Sequence, residues 1–384
     1  MTGLPLFPVT TVGSWPRSPD LQAAQRDLRY GRTTRAEFDR VADRDVEQVI
    51  RLQEGAGCDI VTDGELRRDN FYSFVSQKLA GVRLMTLAEM LDVVEDKAGF
   101  ERLLQTLDVP AYAISTPVCV GRLERLEPLV LDDYRFTRAH TTRAVKVTLP
   151  GPYLLMRAMF VPEVTREVYD TKEALADEVV RLLRDEVASL AAAGADFVQL
   201  DEPVLTELAF SPGNTRTFMC AALAARRDPA EELALAVSLI NRVVEGMPVR
   251  IGVHVCRGNW SRDESTLLRG SYTALAAHLA QIHATQLVLE YATARAGEIL
   301  AFGSKEIGLG VVNPRTDTVE TPGEICAAVE RAQAHYPEDR IFLNPDCGFG
   351  TFSRRPMNSE AVALAKIRAM VAAARMLRQG QRRP

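Results

Sequence analysis

Eight short apolar runs recur along the chain, at residues 9–13, 59–63, 145–150, 197–201, 249–256, 287–290, 307–312 and 341–343. Most are continuous rather than alternating, as in Val249-Arg-Ile-Gly-Val or Leu287-Val-Leu. Strands of that kind are covered on both faces, the usual condition of a parallel sheet packed under helices. Helical segments separate most of the runs. Thr34-Arg-Ala-Glu37 has capping-box spacing, and Phe38, Val41, Val49 and Leu52 recur with roughly helical period up to Gly55-Ala-Gly57. Leu175, Val179, Leu182, Val187 and Leu190 do the same before Ala193-Gly194. Each helix then meets a small-residue turn, an aspartate (Asp59, Asp196) and a strand. Eight strands in this alternation predict an α/β chain forming a closed (β/α)8 TIM barrel, as one domain over residues 1–384.

The alternation breaks over residues 70–143, which read as an insertion after the second strand. A helix is expected from about Thr86, an N-cap with Glu89 three residues on, to Leu107, and a hairpin strand over 115–123 with Cys119 at its middle.

Composition narrows the function classes. The 384 residues are 47% hydrophobic with a net charge of -5, so no broad attraction to nucleic acid or anionic lipid is expected. No apolar stretch approaches the roughly 20 residues of a membrane span, and the N-terminus has no leader pattern, so a cytoplasmic protein is expected. Six scattered cysteines then read as reduced thiols.

The chemistry gathers at the carboxyl ends of the strands. His254 and Cys256 close one run two residues apart, which places both side chains on one face of a strand. Glu290 ends the run at 287–290, and Cys347 follows the run at 341–343 before a glycine. Singly, each has a structural explanation: cysteines pack as small apolar residues, and a strand histidine or acid often only hydrogen-bonds. Together, imidazole, carboxylate and two thiolates suit zinc. A closed set of four ligands is normally structural, whereas a catalytic zinc keeps an open place. An incoming thiol that displaces Glu290 would reconcile the two, because the metal would hold the thiol as the nucleophilic thiolate. Ser14, Glu65, Asp201 and Glu202 stand beside tight turns at the same rim and suit a small zwitterionic or hydroxylated ligand.

Taken in order, Gly13-Ser14, Asp63-Gly-Glu65, Leu149-Pro-Gly-Pro152, Gln199-Leu-Asp-Glu-Pro203, His254-Val-Cys256, Glu290 and Asn344-Pro-Asp-Cys-Gly348 resemble the catalytic barrel of cobalamin-independent methionine synthase. The likeness is to the short, single-barrel branch. It implies zinc on His254, Cys256, Glu290 and Cys347, and methyl transfer from an alkyl donor to a small thiol, homocysteine. The thiol's amino acid end would meet Ser14, Glu65 and Asp201, with Glu65 and Asp201 as the catalytic acids.

Two departures bear on the donor. The family's full-length synthases use a tryptophan after the Gly-Pro turn to hold folate, where this chain has Tyr153-Leu-Leu-Met-Arg-Ala-Met159. A histidine that follows the seventh strand is replaced by a stretch offering Asn313 and Arg315. A donor other than methyl-folate is therefore expected, either small or carried by a corrinoid protein, and a homo-oligomer is open. The same branch includes enzymes similar to epoxyalkane:coenzyme M transferase, in which Arg67, Arg68, Arg257 or Arg315 would meet a sulfonate. A non-catalytic barrel stapled by zinc is the third reading.

Overall fold

Seven of the eight predicted runs become strands of one parallel sheet. The computed structural model describes residues 3–93, 97, 115–210, 228–259, 262 and 268–380. In chain order its strands are β1 (Ile60–Val61), β2 (Leu79–Thr86), β3 (Ser115–Arg125), β4 (Ala144–Pro150), β5 (Phe197–Asp201), β6 (Arg250–Val255), β7 (Gln286–Leu289), β8 (Glu306–Val312) and β9 (Ile341–Pro345). The large sheet runs β1-β4-β5-β6-β7-β8-β9, and every neighbouring pair is parallel. All seven strands therefore end at the same edge. Register places Pro150 beside Asp201 and Asp201 beside His254, so the polar strand ends lie level with one another.

The eighth run departs from the expected strand over 9–13. Val9 makes one parallel bridge to Leu343, and nothing beyond it continues as a ladder. Its backbone nonetheless touches both edges of the sheet. Thr10 N–H donates to Leu343 O at 3.0 Å and Leu343 N–H to Pro8 O at 2.8 Å, while Asp59 and Ile60 N–H groups donate to Val9 O at 2.9 and 3.2 Å. Beyond Val9 the ladder stops because side chains take the carbonyls: Lys146 Nζ bonds Thr11 O, and Gln199 Nε2 bonds Val12 O. The fold is thus an α/β assembly on a seven-stranded parallel sheet, in place of an eight-stranded barrel with a regular first strand.

The expected helices form for the reasons given by their sequences. Thr34 and Glu37 make a reciprocal capping box at the head of the helix Arg35–Ala56. Leu175, Val179, Leu182, Val187 and Leu190 of the helix Lys172–Ala192 are all buried, as a continuous apolar stripe requires. No helix among the described residues is long and apolar enough to cross a membrane.

The insertion after the second strand carries the expected hairpin. β2 and β3 pair antiparallel from Leu79 opposite Arg125 to Thr86 opposite Ser115, with Cys119 buried at the middle. Thr86 and Glu89 form the anticipated capping box, and the helix is described over Leu87–Met90. The rest of the segment expected to be helical up to Leu107 lies largely outside the described residues.

Candidate metal and substrate site

β6 delivers His254 and Cys256 to one face, and the turn after β9 delivers Cys347 to the same place. One ligand atom from each lies within 4.8 Å of the others, and all three side chains are buried. β7 and β8 separate these strands in the sheet, so the sheet's curvature brings the donors together.

Two buried carbonyl-side contacts orient His254. Its Nδ1 lies 3.0 Å from Asp201 Oδ1, and its Nε2 lies 3.3 Å from the carbonyl of Asp346. Burial works to lower the imidazole, but Cys256 and the bonded Asp201 raise it to about 9. The Cys256 thiol is pushed well above its usual range by its hydrogen bond with Cys347 and by burial. An imidazole and two thiols converging in one buried cluster can hold a borderline divalent cation, which would replace those thiol protons.

The same pocket is lined by Ser14, Glu65, Asp201, His254, Cys256 and Cys347, and encloses about 440 Å³ counting its open mouth. Glu65 adopts a left-handed backbone (φ 54°), rare for a residue with a side chain and a local strain that neighbouring bonds must hold. Asp63 Oδ1 accepts its N–H at 3.0 Å, and the buried Arg17 donates to its carbonyl at 2.8 Å. Thr148 Oγ1 donates to Glu65 Oε1 at 2.9 Å, whereas Oε2 is buried without a partner. Burial, with the Asp201 and Asp63 charges adding and Arg68 opposing, pushes the Glu65 carboxyl up to about 7. Gly13 and Gly348 make the crowding possible: a Cβ on the first would strike Glu65 Oε1, and on the second Ser14 Oγ.

Two sequence-predicted residues are engaged by protein partners. Glu290 is not among the converging donors, because its carboxylate is caged. It accepts from the Arg257 N–H at 3.0 Å, from Arg257 Nη1 at 3.1 Å, from Arg295 Nη2 at 3.1 Å and from Asn259 Nδ2. Burial would raise it, but Arg295 and Arg257 hold it below the ordinary carboxylate range. Glu202, expected at the substrate rim, turns away to cap the helix Pro152–Met159. Its two oxygens accept the N–H groups of Tyr153 and Leu154 at 2.7 and 3.1 Å. These carboxylates follow the strand ends as expected, but free helix-terminal N–H groups and buried arginines compete for them.

The sequence reading assigns no role to Arg17, Lys146 or Gln199, although Gln199 stands in the Gln199-Leu-Asp-Glu-Pro203 motif. Arg17 ties its own segment to two loops, donating to the carbonyls of Glu65 and Arg68 in one turn and of Gly350 in another. The available signal was Lys146 alone in the apolar run Val145-Lys-Val-Thr-Leu, where a cation must find buried acceptors. Of the arginines considered for a sulfonate, Arg67 pairs with Asp43 and lies 3.7 Å from Asp133, and Arg257 is committed to Glu290 and the Gly270 carbonyl.

A parallel α/β sheet with a histidine–cysteine cluster at the carboxyl ends of its strands defines a metal-capable enzyme scaffold. Residues 7–376 match the family model described as "Cobalamin-independent synthase, Catalytic domain", and the chain belongs to that family of enzymes, the cobalamin-independent methionine synthases. It is 29% identical over 368 residues to a methionine synthase of Thermococcus kodakarensis, covering 94% of this chain and 93% of that protein. A 5-methyltetrahydropteroyltriglutamate–homocysteine methyltransferase of Parvibaculum lavamentivorans is 27% identical, and the match covers 98% of this chain but 43% of that longer protein. Among solved structures, a B12-independent methionine synthase from a Shewanella species, in complex with selenomethionine, superposes with a TM-score of 0.74 at 22% identity. That likeness covers 98% of this chain and 99% of the other, and supports the fold.

Proposed function

We propose that this chain transfers a methyl group to the sulfur of homocysteine, with zinc held by His254, Cys256 and Cys347. The observation that carries this reading is the convergence of those three donors in the pocket that also holds Glu65 and Asp201. Relatives named for methionine synthesis support it. Zinc bound there would lower the pKa of a substrate thiol and hold it as thiolate.

The chain's own residues do the rest. Glu65 and Asp201 face the pocket with two buried carboxylates, which suit the ammonium of an amino acid and repel a substrate with an anion in its place. That argues against the sulfonate of coenzyme M and the epoxide-opening alternative. Asp201 also orients His254 through Nδ1, so that Nε2 is the nitrogen offered to a metal. Glu290 holds Arg257 and Arg295 beside the cluster, leaving a three-donor set with room for a thiol, which suits catalysis better than a closed structural site.

The N-terminal segment, bonded to β1 and β9 alike, closes the sheet into a ring, and the chain acts as one domain. The methyl donor is not methyl-folate in this reading. The segment after the Gly-Pro turn is the helix Pro152–Met159, whose side chains are all buried, and Tyr153 spends its hydroxyl on Glu232. It offers no aromatic platform to a pterin. The test is turnover of homocysteine by zinc-loaded protein with methylcobalamin and, separately, with methyltetrahydrofolate. Methionine formed with the first supports the proposal; methionine formed efficiently with folate overturns the donor assignment. Turnover of coenzyme M with epoxypropane, and none of homocysteine, overturns the substrate.

A further inference from the structure

Beneath the pocket, a buried lysine and a buried glutamine form a chain of hydrogen bonds that ends on Asp201. Lys146 of β4 donates from Nζ to Gln199 Oε1 at 3.1 Å and also to the carbonyl of Thr11. Gln199 of β5 donates from Nε2 to Asp201 Oδ1 at 2.8 Å and to the carbonyl of Val12 at 3.0 Å. Asp201 Oδ1 in turn meets His254 Nδ1 at 3.0 Å. Lys146 and Gln199 are 1% and 0% exposed, so water does not compete for these bonds.

The polarity of this chain has one workable direction. The Asp201 carboxylate and the Val12 carbonyl only accept, so the Gln199 amide nitrogen must face them and its oxygen faces Lys146, whose amine burial lowers to about 7 and which can donate in either protonation state. The amide nitrogen is thereby aimed at Asp201 and Val12. With the amide reversed, its oxygen would face the Asp201 carboxylate and the Val12 carbonyl, and its nitrogen would face the Lys146 amine. The first two contacts would be repulsive whatever the charge on Lys146, and the third whenever Lys146 is protonated. Lys146 thus reinforces the orientation of Gln199, and Gln199 fixes one oxygen of Asp201. Both also hold the carbonyls of Thr11 and Val12, where the sheet ladder has stopped and Ser14 is about to enter the pocket.

We infer that Lys146 and Gln199 are positioning residues for substrate recognition: acting in series, they set the Asp201 carboxylate and the Ser14 segment to receive the amino acid end of the thiol. The inference rests on the reading that Asp201 meets the substrate's ammonium. Removing either residue costs binding of a thiol that carries an amine and spares one that lacks it. Because Lys146 reaches Asp201 only through Gln199, removing both costs less than the two single losses combined, the excess over Gln199→Met being Lys146's own hold on the Thr11 carbonyl.

The test measures dissociation constants by titration calorimetry on zinc-loaded protein, for homocysteine and for the mercaptobutyrate that lacks the amine. Variants are Lys146→Met, Gln199→Met, the double variant, Lys146→Gln and Asp201→Asn, with zinc content and thermal unfolding recorded for each. Losing a hydrogen bond to a charged group predicts homocysteine binding weakened roughly tenfold to a hundredfold in each single methionine variant. Mercaptobutyrate binding and zinc content stay within about twofold of wild type, and the double variant loses less homocysteine binding than the two single losses combined. Lys146→Gln, which still donates, retains most of the binding and covers the case in which Lys146→Met fails to fold. Equal losses for both thiols, or additive losses in the double variant, overturn the inference. Asp201→Asn separates the two levels. If it does not discriminate between the thiols, the substrate reading fails; if it discriminates while Gln199→Met does not, the positioning role alone fails.

Discussion

Glu65→Gln should stabilise the protein above neutral pH and destabilise it slightly in acid. Glu65 is 2% exposed, one of its oxygens has no partner, and burial raises its carboxyl from 4.5 to about 7. At about 1.4 kcal/mol per pH unit, that difference corresponds to about 3 kcal/mol between protonated and ionised folded states. Below about 4.5 the group is protonated whether the chain is folded or not, and the favourable contribution is complete. As pH rises toward 7 the unfolded chain ionises first, and by pH 8 the folded protein bears the full cost of a buried charge. Glutamine keeps an oxygen for Thr148 but leaves amide N–H groups without a partner, at about 1 kcal/mol. The net expectation is a variant about 2 kcal/mol more stable than wild type at pH 8 and about 1 kcal/mol less stable than it at pH 4. Urea unfolding of both proteins without substrate, followed by far-ultraviolet circular dichroism, measures the difference directly. A difference that is zero or reversed at pH 8, or that does not change with pH, would refute the assignment of Glu65 as a buried carboxylate held for a cation.

Cys256→Ala and Cys347→Ala should each lower bound zinc sharply while the helical circular-dichroism signal remains, since the core of the sheet and its helices carries the fold; loss of that signal would favour a structural staple. Glu290→Gln should retain most of the zinc, read by elemental analysis, yet lower the unfolding free energy by about 3–5 kcal/mol, because it strips the counter-charge from the fully buried Arg257 and from Arg295. Zinc loss without destabilisation would make Glu290 a ligand instead. X-ray absorption at the zinc edge should show one added sulfur when homocysteine binds; an unchanged shell would argue against thiol activation at the metal.

Much of the architecture is legible in the order of residues. Continuous apolar runs mean strands covered on both faces, and helical stripes with Thr34 and Thr86 capping boxes mark where helices begin. The donors His254, Cys256 and Cys347 were also legible, because a period of two along a strand and a shared strand end put them at one rim before any tertiary contact is known. Polar competition was not legible. Whether a carboxylate at a strand end faces ligand or protein depends on which unpaired donors the fold brings beside it, and those come from distant segments. Arg257, Asn259 and Arg295 capture Glu290, two helix-terminal N–H groups capture Glu202, and Lys146 and Gln199 take the carbonyls that would have extended the first strand. Local pattern reports which surfaces a segment buries. The partner of each buried polar group is chosen in three dimensions, because leaving one unpaired costs more than any local propensity can return.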